Sequence, residues 1–117
     1  MRNFRKFTIW IQAVDIVTKV YELSALLPDS ERYGLRSQIQ RSAVSIPSNI
    51  AEGAGRASDV EFKRYLEIAV SSSFELETQL ILIQKLQMIA NDRIEDVLEL
   101  ILLEQKMINS FISKLKT

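Results

Sequence analysis

The sequence predicts an all-α protein, an antiparallel up-down bundle of four helices in a single domain spanning residues 1–117. Apolar side chains recur every three or four residues through four long stretches, and no alternation of period two persists anywhere. Helix breakers fall in only three places, 28–34, 53–58 and 90–92. Short loops between helices favour antiparallel neighbours, and the chain is long enough for one core, so the bundle is the predicted architecture.

The first helix is predicted over about residues 8–26. Its apolar positions form one face, widened by neighbouring positions: Trp10, Ala13, Val17, Val20 and Ser24, with Ile9, Ile16, Leu23 and Leu27. A stripe of this width is typical of a helix that faces a core.

The second helix is predicted over about residues 34–54. Its core stripe consists of one residue per turn: Leu35, Ile39, Ala43, Ile46 and Ile50. Asn49 borders this stripe, so we expect its amide to hydrogen-bond to the serines at 71–73 of the third helix. Gly53 and Gly55 near the end suit a left-handed helix cap.

Pro47 lies inside the second predicted helix and removes the amide that would bond the carbonyl of Ala43. Small residues at 42, 43, 45, 48, 51 and 54 let another helix approach closely. Two interpretations remain open here, a packing seam whose polar groups are satisfied internally and a direct ligand site. The first is the more usual outcome for buried polar groups.

A polar stripe runs along the same helix through Gln38, Arg41, Ser45, Glu52 and Arg56. Glu52 precedes Arg56 by four residues, the favourable order for a pair within one helix. We expect these two residues to pair locally or, together with Arg41, to engage a neighbouring subunit.

The third and fourth helices have recognisable starts. Ser58 with Glu61 three residues later is a capping box ahead of an apolar run. Asn91 is a suitable N-cap for the fourth helix, where Asp92 favours the helix dipole. The predicted inward face of the fourth helix contains Ile94, Val97, Leu98, Ile101, Ile108, Ile112 and Leu115.

Composition excludes much chemistry. The chain has no cysteine and no histidine, which removes thiolate sites, thiol nucleophiles and the histidine ligands of bundle metal centres. Glu75 and Glu77 point to different faces and most other acidic residues sit at exposed positions, so we expect no metal and no cofactor. Nucleophilic catalysis requires a serine beside a base, and neither a histidine nor a clearly buried lysine is available, so we expect no catalytic residue. Gln12 and Asp15 interrupt the apolar start, which predicts a cytoplasmic protein without a signal peptide or membrane partner.

Lysine plus arginine and aspartate plus glutamate number 15 each, which argues against a uniformly basic nucleic-acid binder. The first 56 residues nevertheless carry eight basic against five acidic residues. Phe4 and Phe7 interleave with basic residues near the N-terminus, a combination that can grip phosphate and stack on bases. The candidate nucleic-acid contacts are Arg2, Arg5, Lys6, Arg32, Arg36 and Arg41. The plain alternative is an ordinary basic terminus, with Phe7 covering the core.

The fourth predicted helix has more apolar surface than one core needs. A second stripe runs beside its inward face: Leu100, Leu103, Met107 and Phe111. The third helix adds Ile68, Leu82 and Leu86. Large exposed apolar patches usually mark interfaces, so we expect a homo-oligomer; the alternative is a wide core that buries both stripes.

The segment "YGLRSQIQRSAVSIPSNIAEGAGR" with the following "EFKRYLEIAVSSSFELETQL" resembles the small bacterial proteins encoded in intervening sequences of large-subunit ribosomal RNA genes. The resemblance implies an antiparallel bundle, a ring-like homopentamer and a relationship to the nucleic-acid-binding accessory protein of diversity-generating retroelements. The motif falls here on Arg41, Ser45, Pro47, Asn49, Glu52, Gly53 and Arg56. Gln40–Ala43 and Ser71–Ser72 depart from the usual pattern, and the first departure weakens a basic patch.

Two functions follow as hypotheses. The first is an oligomer whose basic surface engages RNA or an RNA–protein complex. The second is a protein-interaction scaffold that binds no nucleic acid and uses its apolar faces for assembly.

Overall fold

The computed structural model describes residues 2–116 and confirms the prediction of an all-α protein. Within those residues the regular structure is entirely helical, and the body measures 44 × 23 × 20 Å. Single-turn 3-10 helices at Phe4–Lys6 and Asp29–Glu31 precede the first two of four α-helices: α1 (Thr8–Ser24), α2 (Leu35–Ala54), α3 (Asp59–Lys85) and α4 (Asn91–Ser113).

Each helix packs against two neighbours, α1 against α2 and α4, and α3 against the same two helices. The inward faces meet in one apolar core to which all four helices contribute. The largest side chains that are fully buried are Phe62, Ile16, Ile39, Ile46, Ile50, Leu66, Leu76, Leu80, Ile83, Ile94, Ile101 and Ile108. Burial of this apolar area is the main force that holds the four amphipathic helices together.

Gly53 has a role different from the predicted one. The helix α2 continues past it to Ala54, and Gly55 follows with φ −82°, so neither glycine forms a left-handed cap. A Cβ on Gly53 would lie 2.6 Å from Cβ of Tyr65 and 3.0 Å from Cδ1 of Phe62. Gly53 is therefore needed because α2 and α3 come too close together there for a side chain.

The left-handed cap lies instead at the end of α3. Gln87 has φ 58°, and the amide of Met88 donates to the carbonyl of Ile83 at 3.2 Å. The amide of Gln87 donates to the carbonyl of Gln84 at 3.1 Å, which completes a Schellman motif. A glutamine pays a conformational cost in a position that glycine usually fills.

The predicted start of α3 is confirmed, and that of α4 is wrong by one residue. The hydroxyl of Ser58 accepts the amide of Glu61 at 3.2 Å. At α4 the N-cap is Ala90, which is extended and offers no side-chain hydrogen bond, and Asn91 is the first helical residue. Asn91 is exposed and already helical.

Candidate functional site

The motif segment of α2 contributes a polar seam to the interface with α3. The Oγ atoms of Ser45 and Ser72 are 2.8 Å apart, and Ser42 Oγ donates to Oε1 of Gln79 at 2.7 Å. Ser42 and Gln79 are buried, and Ser45 and Ser72 are half-buried. These four residues form the α2–α3 seam, which supports the interpretation of the motif as packing with satisfied polar groups.

Asn49 does not cross that seam as expected. Its Nδ2 donates to the carbonyl of Ser45 at 2.8 Å and to the Oγ of the same residue at 3.0 Å. The side chain of asparagine is short, so it bonds the preceding turn of its own helix. Asn49 thereby orients the Ser45 hydroxyl, and that hydroxyl makes the contact with α3. Pro47 is buried beside them, and α2 continues through it.

The expected local pair between Glu52 and Arg56 is present. Nη2 of Arg56 lies 3.0 Å from Oε1 of Glu52. The same nitrogen donates to the hydroxyl of Tyr65 at 2.6 Å, and the guanidinium lies 4.7 Å from the centre of the Tyr65 ring. Arg41 is exposed on the same helix and forms no salt bridge within residues 2–116. The stripe therefore divides into a paired end near Arg56 and a free cation at Arg41.

Arg2 fastens the N-terminal segment onto the turn between α2 and α3. It donates to the carbonyls of Ala54 at 3.2 Å and Arg56 at 2.7 Å and to the carboxylate of Asp59 at 2.6 Å. The guanidinium also lies 4.6 Å from the centre of the Phe62 ring. The bond from Arg2 lowers the pKa of Asp59 below its usual range. Arg2 is thus an anchor of the fold, whereas Arg5 and Lys6 are exposed.

The remaining predicted contacts lie at the opposite end of the bundle. Arg36 donates to the carbonyl of Leu27 at 2.6 Å and approaches the carboxylate of Asp29 at 3.8 Å, so it closes the connection between α1 and α2. Arg32 is exposed next to Tyr33. The structure therefore does not bring the predicted basic residues together in one patch.

A different basic cluster emerges where both chain termini and the α2–α3 turn meet, which we call the terminal end: residues 2–8, 52–67 and 106–116. Nine of the 15 basic residues and four of the 15 acidic residues lie there. The rest of the molecule holds six basic and 11 acidic residues. A chain of zero net charge is consequently positive at the terminal end and negative over the rest of the molecule. We call the opposite end, residues 24–36 and 85–93 around the α1–α2 and α3–α4 connections, the far end.

Sequence reasoning missed five of the basic residues at the terminal end: Lys63, Arg64, Lys106, Lys114 and Lys116. The up-down topology was the signal that could have found them, because it places the start of α3 and the end of α4 beside the N-terminus. Lys6 and Lys114 flank an open groove whose lining includes Phe7, Met107 and Phe111. The groove combines cations at its edges with apolar and aromatic surface within it.

The apolar stripe of α4 is divided between the core and the surface. Leu100, Met107 and Phe111 are half-buried against the protein's own core, where the rings of Phe111 and Phe7 have centroids 5.1 Å apart. Leu103 is 47% exposed. Other exposed apolar residues include Ile68, Leu82, Leu86 and Leu102. The core thus partly buries three of the four predicted interface residues, Leu100, Met107 and Phe111. Of the four, only Leu103 is exposed.

Sequence reasoning also missed Glu104, although its position three residues after Ile101 and four before Ile108 puts it on the predicted inward face of the fourth helix. Glu104 is 0% exposed, and burial raises its pKa to about 8.

Within residues 2–116 no set of three potential ligands is arranged to hold a metal ion, and none of the described helices combines the length and apolar character needed to span a membrane.

These features define the class as a small all-α four-helix bundle with basic residues concentrated at one end. More particularly, the chain belongs to the 23S rRNA-intervening sequence protein family, whose model matches residues 5–110. The family resemblance of the motif segment is therefore confirmed.

A solved structure supports the fold. It is described as a protein with unknown function from the S23 ribosomal protein family of Bacteroides thetaiotaomicron, 24% identical, with a TM-score of 0.84. The match covers 94% of this chain and 100% of that one. No curated protein sequence matches the chain. Neither the family description nor that of the solved structure names an enzymatic activity.

Proposed function

We propose that the protein is a non-enzymatic, homo-oligomeric RNA-binding accessory protein that contacts RNA through its terminal end. The concentration of nine basic residues against four acidic ones at that end carries the proposal. Lysine and arginine clusters bind the phosphate backbone by releasing condensed counterions, and this requires local rather than net positive charge. We also assign the protein to the cytoplasm, where RNA is available.

The exposed residues that we assign to phosphate contact are Arg5, Lys6, Arg64, Lys114 and Lys116. The groove between Lys6 and Lys114 offers the Phe7 ring beside the cations, an arrangement that suits a base next to its phosphate. Arg2 and Arg56 support this surface from behind, because their guanidinium groups are already bonded to protein acceptors. Arg41 is an exposed cation nearer the middle of α2, and we assign it to a phosphate contact at the periphery of the RNA-binding surface.

Self-association is the second part of the proposal. Leu103 on α4, Ile68 and Leu82 on α3, and Leu86 just after α3 leave apolar surface exposed on the single chain. Exposed apolar area of this kind favours association of copies, and closed symmetric assemblies are the usual result. The resemblance to pentameric relatives favours five copies. A ring would also repeat the positive terminal end, which multiplies the attraction for a polyanion.

A salt titration of RNA binding tests the first part. A structured RNA hairpin is titrated with the protein at several salt concentrations, and the slope of log K against log salt is measured. Replacing Arg5, Lys6 and Lys114 with Gln should reduce the slope by about 0.9 for each lost contact on a duplex. The matched control changes three exposed basic residues of the far end to Gln: Arg32, Lys85 and Arg93.

The control triple variant should bind as the unaltered protein does. Absence of binding even at low salt contradicts the proposal, and so does an equal loss in both triple variants. The second outcome would show that overall charge, not the terminal end, governs association.

A protein-interaction scaffold is the alternative function, and the exposed leucines at the end of α3 and just after it favour it. Zero net charge weakens attraction to polyanions at long range, whereas Leu82 and Leu86 offer apolar contacts to another helix. Affinity capture from the native host, with and without nuclease treatment, separates the two functions. Partners that persist after nuclease treatment support the scaffold, and partners lost with the RNA support RNA binding.

A further inference from the structure

One acidic side chain lies inside the core. Glu104 is 0% exposed on the inward face of α4, where Ile101 and Ile108 on adjacent turns are also fully buried. Among the described residues, no hydrogen-bond partner is present for either carboxyl oxygen. A carboxyl group in such surroundings loses its hydration without any compensation.

The other buried polar side chains differ from Glu104 because they are bonded. Ser42 donates to Gln79, Ser73 donates to the carbonyl of Val70 at 2.6 Å, and Gln105 donates to the carboxylate of Glu77 at 2.9 Å. Native proteins leave few buried polar groups unsatisfied, and each exception calls for a physical reason.

No opposite charge compensates the carboxyl group. Lys6, just before α1, and Asp15 on α1 are exposed, and half-buried Lys19 of α1 lies in a groove with Arg93 and Asp96. On α2, Arg41 is exposed.

The charged groups of the other two helices do not reach it either. On α3, the half-buried carboxylate of Glu77 already accepts the Gln105 amide. On α4 itself, Glu99 and Lys106 are exposed. An ionised Glu104 would therefore be an unpaired charge in an apolar core, which strongly favours the protonated form.

We propose that Glu104 is held as a neutral carboxylic acid in the folded protein, and that loss of this proton releases α4 from α1 and α3. A new charge must reach water, and α4 is the element that has to move because it carries the group. The interface between α2 and α3 is the most extensive in the bundle and has its own seam of hydrogen bonds. Those two helices should stay paired when α4 leaves. The raised pKa of Glu104, about 8, is consistent with a release of α4 that is linked to loss of this proton.

Carbon-13 NMR of protein labelled at the glutamate carboxyl carbons tests the first half. At pH 6.5 one glutamate resonance should remain at the chemical shift of a protonated acid, and it should be missing from the spectrum of Glu104→Gln. Glu77→Gln is the matched control, since it removes a half-buried carboxylate of the neighbouring helix and should leave that resonance in place.

Amide hydrogen exchange, corrected for the intrinsic rate, tests the second half. At pH 9 the amides of α4 should lose protection while those of α2 and α3 keep it, and Glu104→Gln should restore the protection of α4. If every glutamate carboxyl titrates near pH 4.5 in the unaltered protein, the proposal is overturned even where Glu104→Gln fails to fold. Equal protection of α4 at pH 6.5 and pH 9 overturns the release of α4.

Discussion

Gly53 shows how a single position can limit the packing of two helices. Its missing side chain allows the backbone of α2 to approach Tyr65 and Phe62 of α3, where a Cβ would lie 2.6 Å from the Tyr65 Cβ. Gly55, two residues later, has only the carbonyl of Glu52 at 3.5 Å from the equivalent point and φ −82°. The two glycines therefore provide a matched pair for testing close approach.

We expect Gly53→Ala to destabilise the protein by about 1–3 kcal/mol, because the backbones must separate or strain. Gly55→Ala should be neutral or stabilising by up to about 1 kcal/mol, since the conformation is accessible to alanine and the unfolded chain loses entropy. Urea denaturation measures both changes. Equal effects of the two substitutions would show that helix propensity, not the contact with Tyr65, determines the result.

Glu104 gives stability a defined dependence on pH. In the unfolded chain its carboxyl ionises near 4.5, whereas the folded protein holds the proton to about 8. Between these values the folded state binds more protons, so the free energy of unfolding falls as pH rises, by about 1.4 kcal/mol per pH unit. Below pH 4.5 Glu104 is protonated in both the folded and the unfolded state, so it does not change the free energy of unfolding. Above pH 8 its destabilising contribution is constant.

Denaturant titrations at pH 5, 6, 7 and 8 measure this slope. Glu104→Gln should flatten it, because the amide does not titrate. A slope that persists in Glu104→Gln would assign the dependence on pH to other groups.

At the scale of elements, the helices differ in how their ends are formed. The start of α3 has a side-chain cap from Ser58, whereas its end forces Gln87 into the left-handed region. The hydrogen bonds of the Schellman motif and the burial of Ile89 just beyond it hold Gln87 there. In the turn between α3 and α4, Gln87 thus occupies a left-handed conformation that suits glycine better than glutamine.

Gln87→Gly should stabilise the protein by about 1 kcal/mol, because glycine adopts positive φ without the Cβ penalty. Thermal unfolding should show a melting temperature raised by about 4–8 °C for a domain near this size. The control is Lys85→Gly, inside the last turn of α3, which should destabilise by about 0.5–1 kcal/mol. A loss of stability in Gln87→Gly would mean that the Gln87 side chain makes a contact worth more than the strain.

At the scale of the whole molecule, topology gives a chain of zero net charge one positive end. Antiparallel packing places residues 2–8 and 106–116 beside the start of α3, and nine basic residues accumulate there. The same packing leaves Leu103 on α4, Ile68 and Leu82 on α3, and Leu86 just after α3 on the outside. Charge and apolar surface, the two features that support RNA binding and assembly, are both products of this arrangement.

Leu103→Glu should dissociate the proposed oligomer, because a charge at an apolar interface loses water without a partner. Light scattering after size exclusion measures the mass, and circular dichroism checks that the helices are retained. Asn109→Glu, at an exposed polar position of the same helix, is the control and should leave the mass unchanged. A mass of one chain for the unaltered protein, at every concentration, would refute self-association, whereas a dimer would refute only the pentamer.

The sequence by itself determined the helices. Spacing of apolar residues by three or four, together with breakers at 28–34 and 53–58, depends only on neighbours within a few residues. For the same reason the cap at Ser58 and the pair of Glu52 with Arg56 could be predicted: both connect residues three or four apart. The amphipathic pattern then left few ways to bury four stripes, so the bundle followed from it.

Only the tertiary structure decided what meets across the helices. The contact of Ser45 with Ser72 and the close approach at Gly53 depend on register between segments that are distant in sequence. The spacing of Glu104 from Ile101 and Ile108 puts it on the inward face of α4, but only the packing of the helices shows that its carboxyl group is fully buried and has no partner among the described residues. The positive terminal end likewise exists only after three separate segments come together. Local patterns specify the conformation of a segment, whereas contacts between segments depend on the relative placement of whole helices, which no short stretch of sequence contains.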